Sequence, residues 1–356
     1  MQTHRSTRTS GLRALAASLC LSCALGAITL AYAAPGAPND DLQAVDMSQA
    51  LRDIPPGYML IEGDIQIRVT DYERYRVARE QSLAAGEDPQ PLGTFITTNF
   101  WPGGNVAYEF DANVSAANRT TFRSAMDQWE AVANVTFTQC AGNNCTSGDY
   151  IHIQSSTGNN SAVGRQGGEQ IINIVSWGEM FRQVHELGHA LGLYHEQSRT
   201  DRDTYVTINW ANIQSGKEGN FALESGSGRY GPYDFDSVMH YGRDYFSVNG
   251  QDTITVNPPW NAQWQNAIGQ RDHLSEMDQL TMSFLYPESD WRFADGNYTG
   301  FIELGSFFYP AKTIGNGVTF TPVNGTLWIQ PDTYTAPGTY NKAMTWRAPL
   351  GGVLIR

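Results

Sequence analysis

His185, Glu186 and His189 stand in the order H-E-x-x-H, and Gly192 and His195 extend it to H-E-x-x-H-x-x-G-x-x-H. On a helix, residues four apart share one face, with Cβ atoms about 5–6 Å from each other. Two imidazoles at that spacing can close on a single Zn²⁺ with bonds of about 2.0–2.1 Å. Glu186 projects beside them without ligating, placed to take a proton from a water that the metal activates. Gly192 tolerates backbone angles that strain other residues, so the chain can turn sharply and return. That return delivers His195 as a third nitrogen. Three protein ligands leave one position open, which marks a catalytic rather than a structural zinc site.

Five residues with three fixed arise by chance in long helices. The extended pattern is far more selective, and it belongs with a downstream Met-turn. The segment S-V-M-H-Y at residues 237–241 supplies one. The competing reading, a helix whose histidines are ordinary core or surface residues, leaves unexplained why three of the seven histidines fall in this spacing.

Glu196 directly after the third histidine, the following Q-S-R-T-D-R-D and the S-x-M-H-Y turn resemble the astacins, a family of metzincin zinc endopeptidases. The likeness runs from about residue 100 to residue 286. It implies an α+β fold: a metzincin-type catalytic domain with an N-terminal mixed twisted sheet and two long helices, an irregular C-terminal subdomain, and the zinc cleft between them. It implies one Zn²⁺ per chain, with Met239 packed beneath the histidines and not ligating. Tyr241 would be a further zinc ligand that swings away when substrate binds and then hydrogen-bonds the oxyanion; the plain alternative is a core tyrosine. Protein or peptide substrates would lie extended across the cleft and pair with an edge strand. A matrix- or serralysin-type relative fits less well, because of Glu196 and the Met-turn sequence. A rival of another class is a non-catalytic zinc-stabilised binding or adhesion module. Intact Glu186 argues against it, since a structural site has no use for a base there.

Several elements must position these residues. A helix capped by Ser115 carries Phe122, Ala125, Met126, Trp129 and Val132 at helical spacing. Residues 105–110, 149–154 and 170–175 alternate as strands, which makes His152 a satisfied or exposed strand histidine rather than a ligand. The zinc helix is expected from near Trp177 to Gly192, and a closing helix from Met277, Leu280, Met282, Leu285 and Tyr286. Arg199, Asp201, Arg202 and Asp203 read as a salt-bridged turn that fixes the third ligand.

The chain divides into four segments. Residues 1–33 form a basic start, an apolar run and an A-x-A exit, a cleaved export signal of bacterial type that leaves no stable membrane insertion. A membrane anchor is the alternative, since the run approaches the ~18–20 residues needed to span. Residues 34–91 read as a propeptide too small to bury much core by itself. Its I-E-G-D at 61–64 reads locally as a turn between two strands. By resemblance, however, the astacin propeptide carries F-x-G-D, whose Asp fills the open zinc position, so Asp64 becomes the latency ligand and the propeptide its own inhibitor. Ile61 departs from the aromatic of that motif.

The protease domain would span 92–287. By the same resemblance, its freed α-amino group would meet Glu196. The alternatives are that Glu196 is a surface residue or a partner of Arg199 or Arg202. Residues 288–356 are β-rich, lack helix signals and resemble the first coil of a parallel β-helix. Such a coil cannot bury its own face, so it should pack on the protease domain, bind a partner (carbohydrate through its aromatics being one alternative) or be a truncated relic.

Cys20 and Cys23 fall in the export signal, leaving Cys140 and Cys145 in C-A-G-N-N-C. They are close enough to bond in an oxidising compartment, with free thiols or a metal pair as alternatives. The two longer-range disulfides typical of astacins have no cysteines here. A net charge of −13 argues against nucleic acid as a partner. Localisation is read as secreted, extracellular or periplasmic.

Overall fold

The computed structural model describes residues 54–69, 94–224, 227–228, 230–336 and 338–356. These lie in one compact unit that begins at Ala50. The export signal, residues 70–93 with the expected activation cut, and Cys20 and Cys23 lie outside the described residues. Among those described, no helix is long and apolar enough to cross a membrane.

The N-terminal half is built on four parallel strands, ordered β4 (Thr136–Gln139), β3 (Asn105–Phe110), β5 (Tyr150–Ser155), β7 (Glu169–Ile174). An antiparallel bridge from Asn160 to Asn173 links short β6 (Ser161–Ala162) to β7, so the sheet is mixed, as the family likeness implies. A hairpin of β1 (Tyr58–Ile61) and β2 (Ile65–Arg68) then adds to β6, with Ile65 opposite Ser161 in parallel register. The local reading of I-E-G-D as a turn between strands therefore holds alongside its position at the site.

Helix α1 (Ala116–Glu130) begins where Ser115 accepts a hydrogen bond from the Asn118 amide. Its buried Phe122, Ala125, Met126 and Trp129 form one stripe. Val132 falls past its end. Trp129 donates its indole N–H to the Val184 carbonyl at 2.9 Å, which ties α1 to the zinc helix α2 (Met180–Leu191). Helix α2 starts later than Trp177 because residues 175–179 make turns, with the Asn159 carboxamide accepting from Val175 and Ser176.

The C-terminal half is irregular, as expected. It holds β8 (Val206–Ile208) paired to β9 (Ile254–Val256), short α3 (Asn261–Trp264), and a second core that includes Phe221, Tyr233, Phe235 and Tyr241. The closing helix α4 (Glu276–Leu285) returns Met282, Phe284 and Leu285 to the first core.

The tail packs on the rest of the fold through Phe307 and Phe308, whose rings meet Phe95, Phe100, Tyr230 and Phe284. Strands β10 (Trp291–Ala294), β11 (Thr326–Ile329) and β13 (Thr345–Arg347) pair in parallel, and so do β12 (Thr333–Tyr334) and β14 (Leu354–Ile355). The expectation that this segment holds no helix fails. Residues Ile314–Phe320 form α5 despite two glycines, because Thr313 caps it and burial of Ile314, Gly317 and Val318 overrides weak propensity. A Cβ at Gly317 would sit 3.0 Å from Leu327, so the glycine is what lets α5 approach β11.

Candidate metal centre

Helix α2 presents His185 and His189 one turn apart. It stops at Gly192, whose φ of +118° lies in the left-handed region and whose amide donates to the carbonyls of Gly188 and His189. The chain then doubles back. Leu193 is bridged to Phe95, and His195 enters opposite the helix. The three imidazole centroids lie 4.7, 4.7 and 5.3 Å apart.

Each ring is oriented through Nδ1. That of His185 is 2.8 Å from the Val238 carbonyl, and that of His189 is 2.7 Å from the Leu193 carbonyl. That of His195 is 2.9 Å from the Glu62 carboxylate. The proton held at Nδ1 leaves Nε2 with its lone pair free to ligate. All three Nε2 atoms are buried without a hydrogen-bond partner. Burial, first, and the Arg271 charge push the His185 imidazole down to about 4, and burial with the neighbouring histidines lowers His189 well below its usual range. Both are therefore neutral at pH 7.

The Asp64 carboxylate faces this trio at 3.4, 3.9 and 3.2 Å from the Nε2 atoms of His185, His189 and His195. Burial alone would raise its carboxyl, but the imidazoles outweigh that and hold it well below the usual carboxylate range. All four donor atoms lie within 4.8 Å of one another. A tetrahedral ion with bonds of about 2.0–2.1 Å needs donors about 3.4 Å apart, so the set fits Zn²⁺. Orphaned buried imidazole nitrogens are donors that this metal prefers.

Glu186 is 2% exposed, and its Oε2 has no partner. Burial and then the Asp64 charge push its carboxyl well above the usual range. Met239 lies beneath the zinc helix: a Cβ at Gly188 would come within 2.9 Å of its sulfur. Tyr241, 1% exposed, packs against His195 at 4.5 Å between ring centroids and donates its hydroxyl to the Glu62 carbonyl.

Glu196 is buried rather than on the surface; its partners are Arg199 and the Asp234 amide, both at 2.9 Å. Arg202 instead joins Asp203 and donates to the carbonyls of Gln197 and Phe221, so the charged cluster does brace the third-ligand turn. Cys140 and Cys145 are bonded as a disulfide. His152 is held by Glu109 and Asp111, as a satisfied strand histidine should be.

Sequence reading missed Asp278, which accepts from Ser237 and the Val238 amide while closing the capping box of α4. Through Val238 it steadies His185. The S-x-x-D at 275–278 was the visible signal, but nothing local says that a capping carboxylate also anchors the Met-turn. It missed Glu62 as well, noticed only as part of a motif.

A model of the astacin peptidase family matches residues 94–287. The chain belongs to the astacin family. It is thus a member of a zinc metallopeptidase family, which sets aside the non-catalytic module. Among astacin relatives, high choriolytic enzyme 1 of Oryzias latipes is 34% identical over 215 residues, covering 58% of this chain and 77% of that one. Tolloid-like protein 1 of Mus musculus is 40% identical over 199 residues, covering 54% and 19%. Zinc metalloproteinase nas-15 of Caenorhabditis elegans is 36% identical over 195 residues, covering 52% and 32%. The chain therefore spans most of the first relative and a minor part of the other two. A solved structure of high choriolytic enzyme 1, a hatching enzyme zinc-protease, aligns with a TM-score of 0.48 at 34% identity, over 55% of this chain and 98% of that one.

Proposed function

We propose that this astacin is made as an exported, latent precursor, divided at residues 33, 91 and 287, whose hairpin at 58–68 fills the cleft, and that its processed form is an endopeptidase acting on proteins. The observation that carries this reading is the Asp64 carboxylate, set 3.2–3.9 Å from all three buried Nε2 atoms. A carboxylate there takes the position that a water or a scissile carbonyl needs.

Zinc held by His185, His189 and His195 would supply Lewis acidity, to polarise a carbonyl and to acidify water near neutral pH. Glu186 is the general base that receives the water's proton and then gives it to the leaving amine. Its raised carboxyl suits that exchange, and removal of Asp64 takes away one of the two causes. Tyr241 donates to the oxyanion; in the precursor that donor is occupied by a peptide carbonyl, that of Glu62. Substrate pairs with edge strand β6, where β2 now lies in parallel register.

Release of the precursor segment has a second support. Glu196, Asp234 and Asp278 line one cavity of about 20 Å³, room for a single water, and Thr94 lines it too. Burial, then Asp278 and Glu196, push the Asp234 carboxyl up to about 8. Three clustered carboxylates beside residue 94 suit the ammonium of a chain cut near Leu92. The disulfide agrees with an oxidising destination.

The test is peptide-library hydrolysis by processed protein, with and without chelator, beside two variants. Glu186→Gln should retain zinc and lose hydrolysis; unchanged hydrolysis removes its role. Asp64→Ala precursor should hydrolyse peptide before processing, and an equally silent precursor retires the latency reading.

A further inference from the structure

We propose that Glu62 is a positioning residue for His195, and that the hairpin thereby makes the precursor a tighter holder of zinc than the enzyme released from it. This rests on the reading above that the hairpin belongs to a precursor segment.

His195 differs from the other two ligands. His185 and His189 set their Nδ1 atoms against backbone carbonyls of the protease half, at Val238 and Leu193. His195 sets its own against a carboxylate from a different segment, Glu62 Oε2 at 2.9 Å. That same oxygen accepts from Ser198 at 3.0 Å, which fixes its direction. The backbone carbonyl of Glu62 accepts from Tyr241. One three-residue turn therefore meets one imidazole on both sides: Glu62 is bonded at Nδ1, and Asp64 faces the free Nε2 from 3.2 Å.

The backbone is bent to achieve this. Glu62 has φ of +50°, an unfavourable region for a residue with a side chain, and Gly63 follows at +83°. A Cβ at Gly63 would lie 2.6 Å from the Phe246 ring. Glu62 is also 1% exposed, so its contact with His195 is shielded from water. A divalent ion on the far side of His195 would draw electron density through the ring, so that the Nδ1 proton is donated more strongly to Glu62. A carboxylate behind a ligating histidine raises its basicity, and loss of such a partner costs about 10–100-fold in metal affinity. Coupling of this kind is reciprocal, so zinc must hold the hairpin as firmly as the hairpin holds zinc.

The experiment follows zinc release from full-length precursor to excess chromogenic chelator, in the Glu186→Gln background so that no cleavage intrudes. Glu62→Gln and Glu62→Ala should release zinc about 10-fold faster or more. The double variant with Asp64→Asn should be faster than Asp64→Asn alone. Release at the wild-type rate in both Glu62 variants overturns the proposal. Cobalt-loaded Glu62→Gln separates positioning from loss of docking. A visible spectrum distinct from both precursor and processed enzyme supports a changed His195 field, whereas the processed-enzyme spectrum means the hairpin has left and overturns the specific role. Latency is scored separately, in protein with Glu186 intact. Faster zinc release with an Asp64→Asn precursor still silent removes the latency reading alone. Unchanged release with that precursor active removes only the role of Glu62.

Discussion

A carboxyl group raised by its neighbours records a preference for the uncharged form, and Asp234 is the strongest such case with a readable value. Burial comes first, followed by the charges of Asp278 and Glu196, which are themselves pushed up by burial. Unfolded, Asp234 would lose its proton near 3.8; folded, it keeps it to about 8. Between those values folding takes up a proton, so stability is highest at the acid end and is lost as pH rises through 8. The full-length protein's urea midpoint should therefore fall between about pH 5 and pH 8, and Asp234→Asn should flatten that slope. A midpoint that rises over this range, with no effect of Asp234→Asn, would contradict the picture.

At the scale of elements, the join between α2 and the third ligand depends on one residue. Gly192 ends the helix at a φ of +118°, and a Cβ there would press within 2.8 Å of Ile96. Gly192→Ala should cost about 1–3 kcal/mol, the usual range for a side chain held in such a conformation, read as a lower urea midpoint of the folded protein. That glycine was legible in sequence because its spacing to His189 and His195 is part of the motif. The strands of the first half and α1 were legible too, since a buried stripe repeats at about 2.0 or 3.6 residues. Other features were not. The first turns before α2 yield to Asn159, a contact invisible from the residues of 177–180 themselves. Helix α5 reads as loop because I-G-N-G is a poor helix former; burial against partners such as Leu327, added to the Thr313 cap, overrides that propensity. The Glu62 contact with His195 spans 133 positions, and no periodicity reports on that.

At the scale of the whole molecule, the tail and the protease half share one hydrophobic floor. Phe284 lies in it with Phe293, Phe307 and Trp328 around its ring, while Phe307 and Phe308 continue the contact to Phe95. These rings pack over buried Phe95, next to the Thr94 carbonyl that accepts from the Tyr194 amide. The practical outcome concerns how the protein can be trimmed. A recombinant fragment ending at 287 would present bare aromatic faces at positions 95, 100, 230 and 284, a patch of the kind that drives self-association. It should elute from a sizing column as aggregate while the full-length protein does not, so that what looks like a dispensable appendage is a lid whose absence spoils solubility before it touches catalysis.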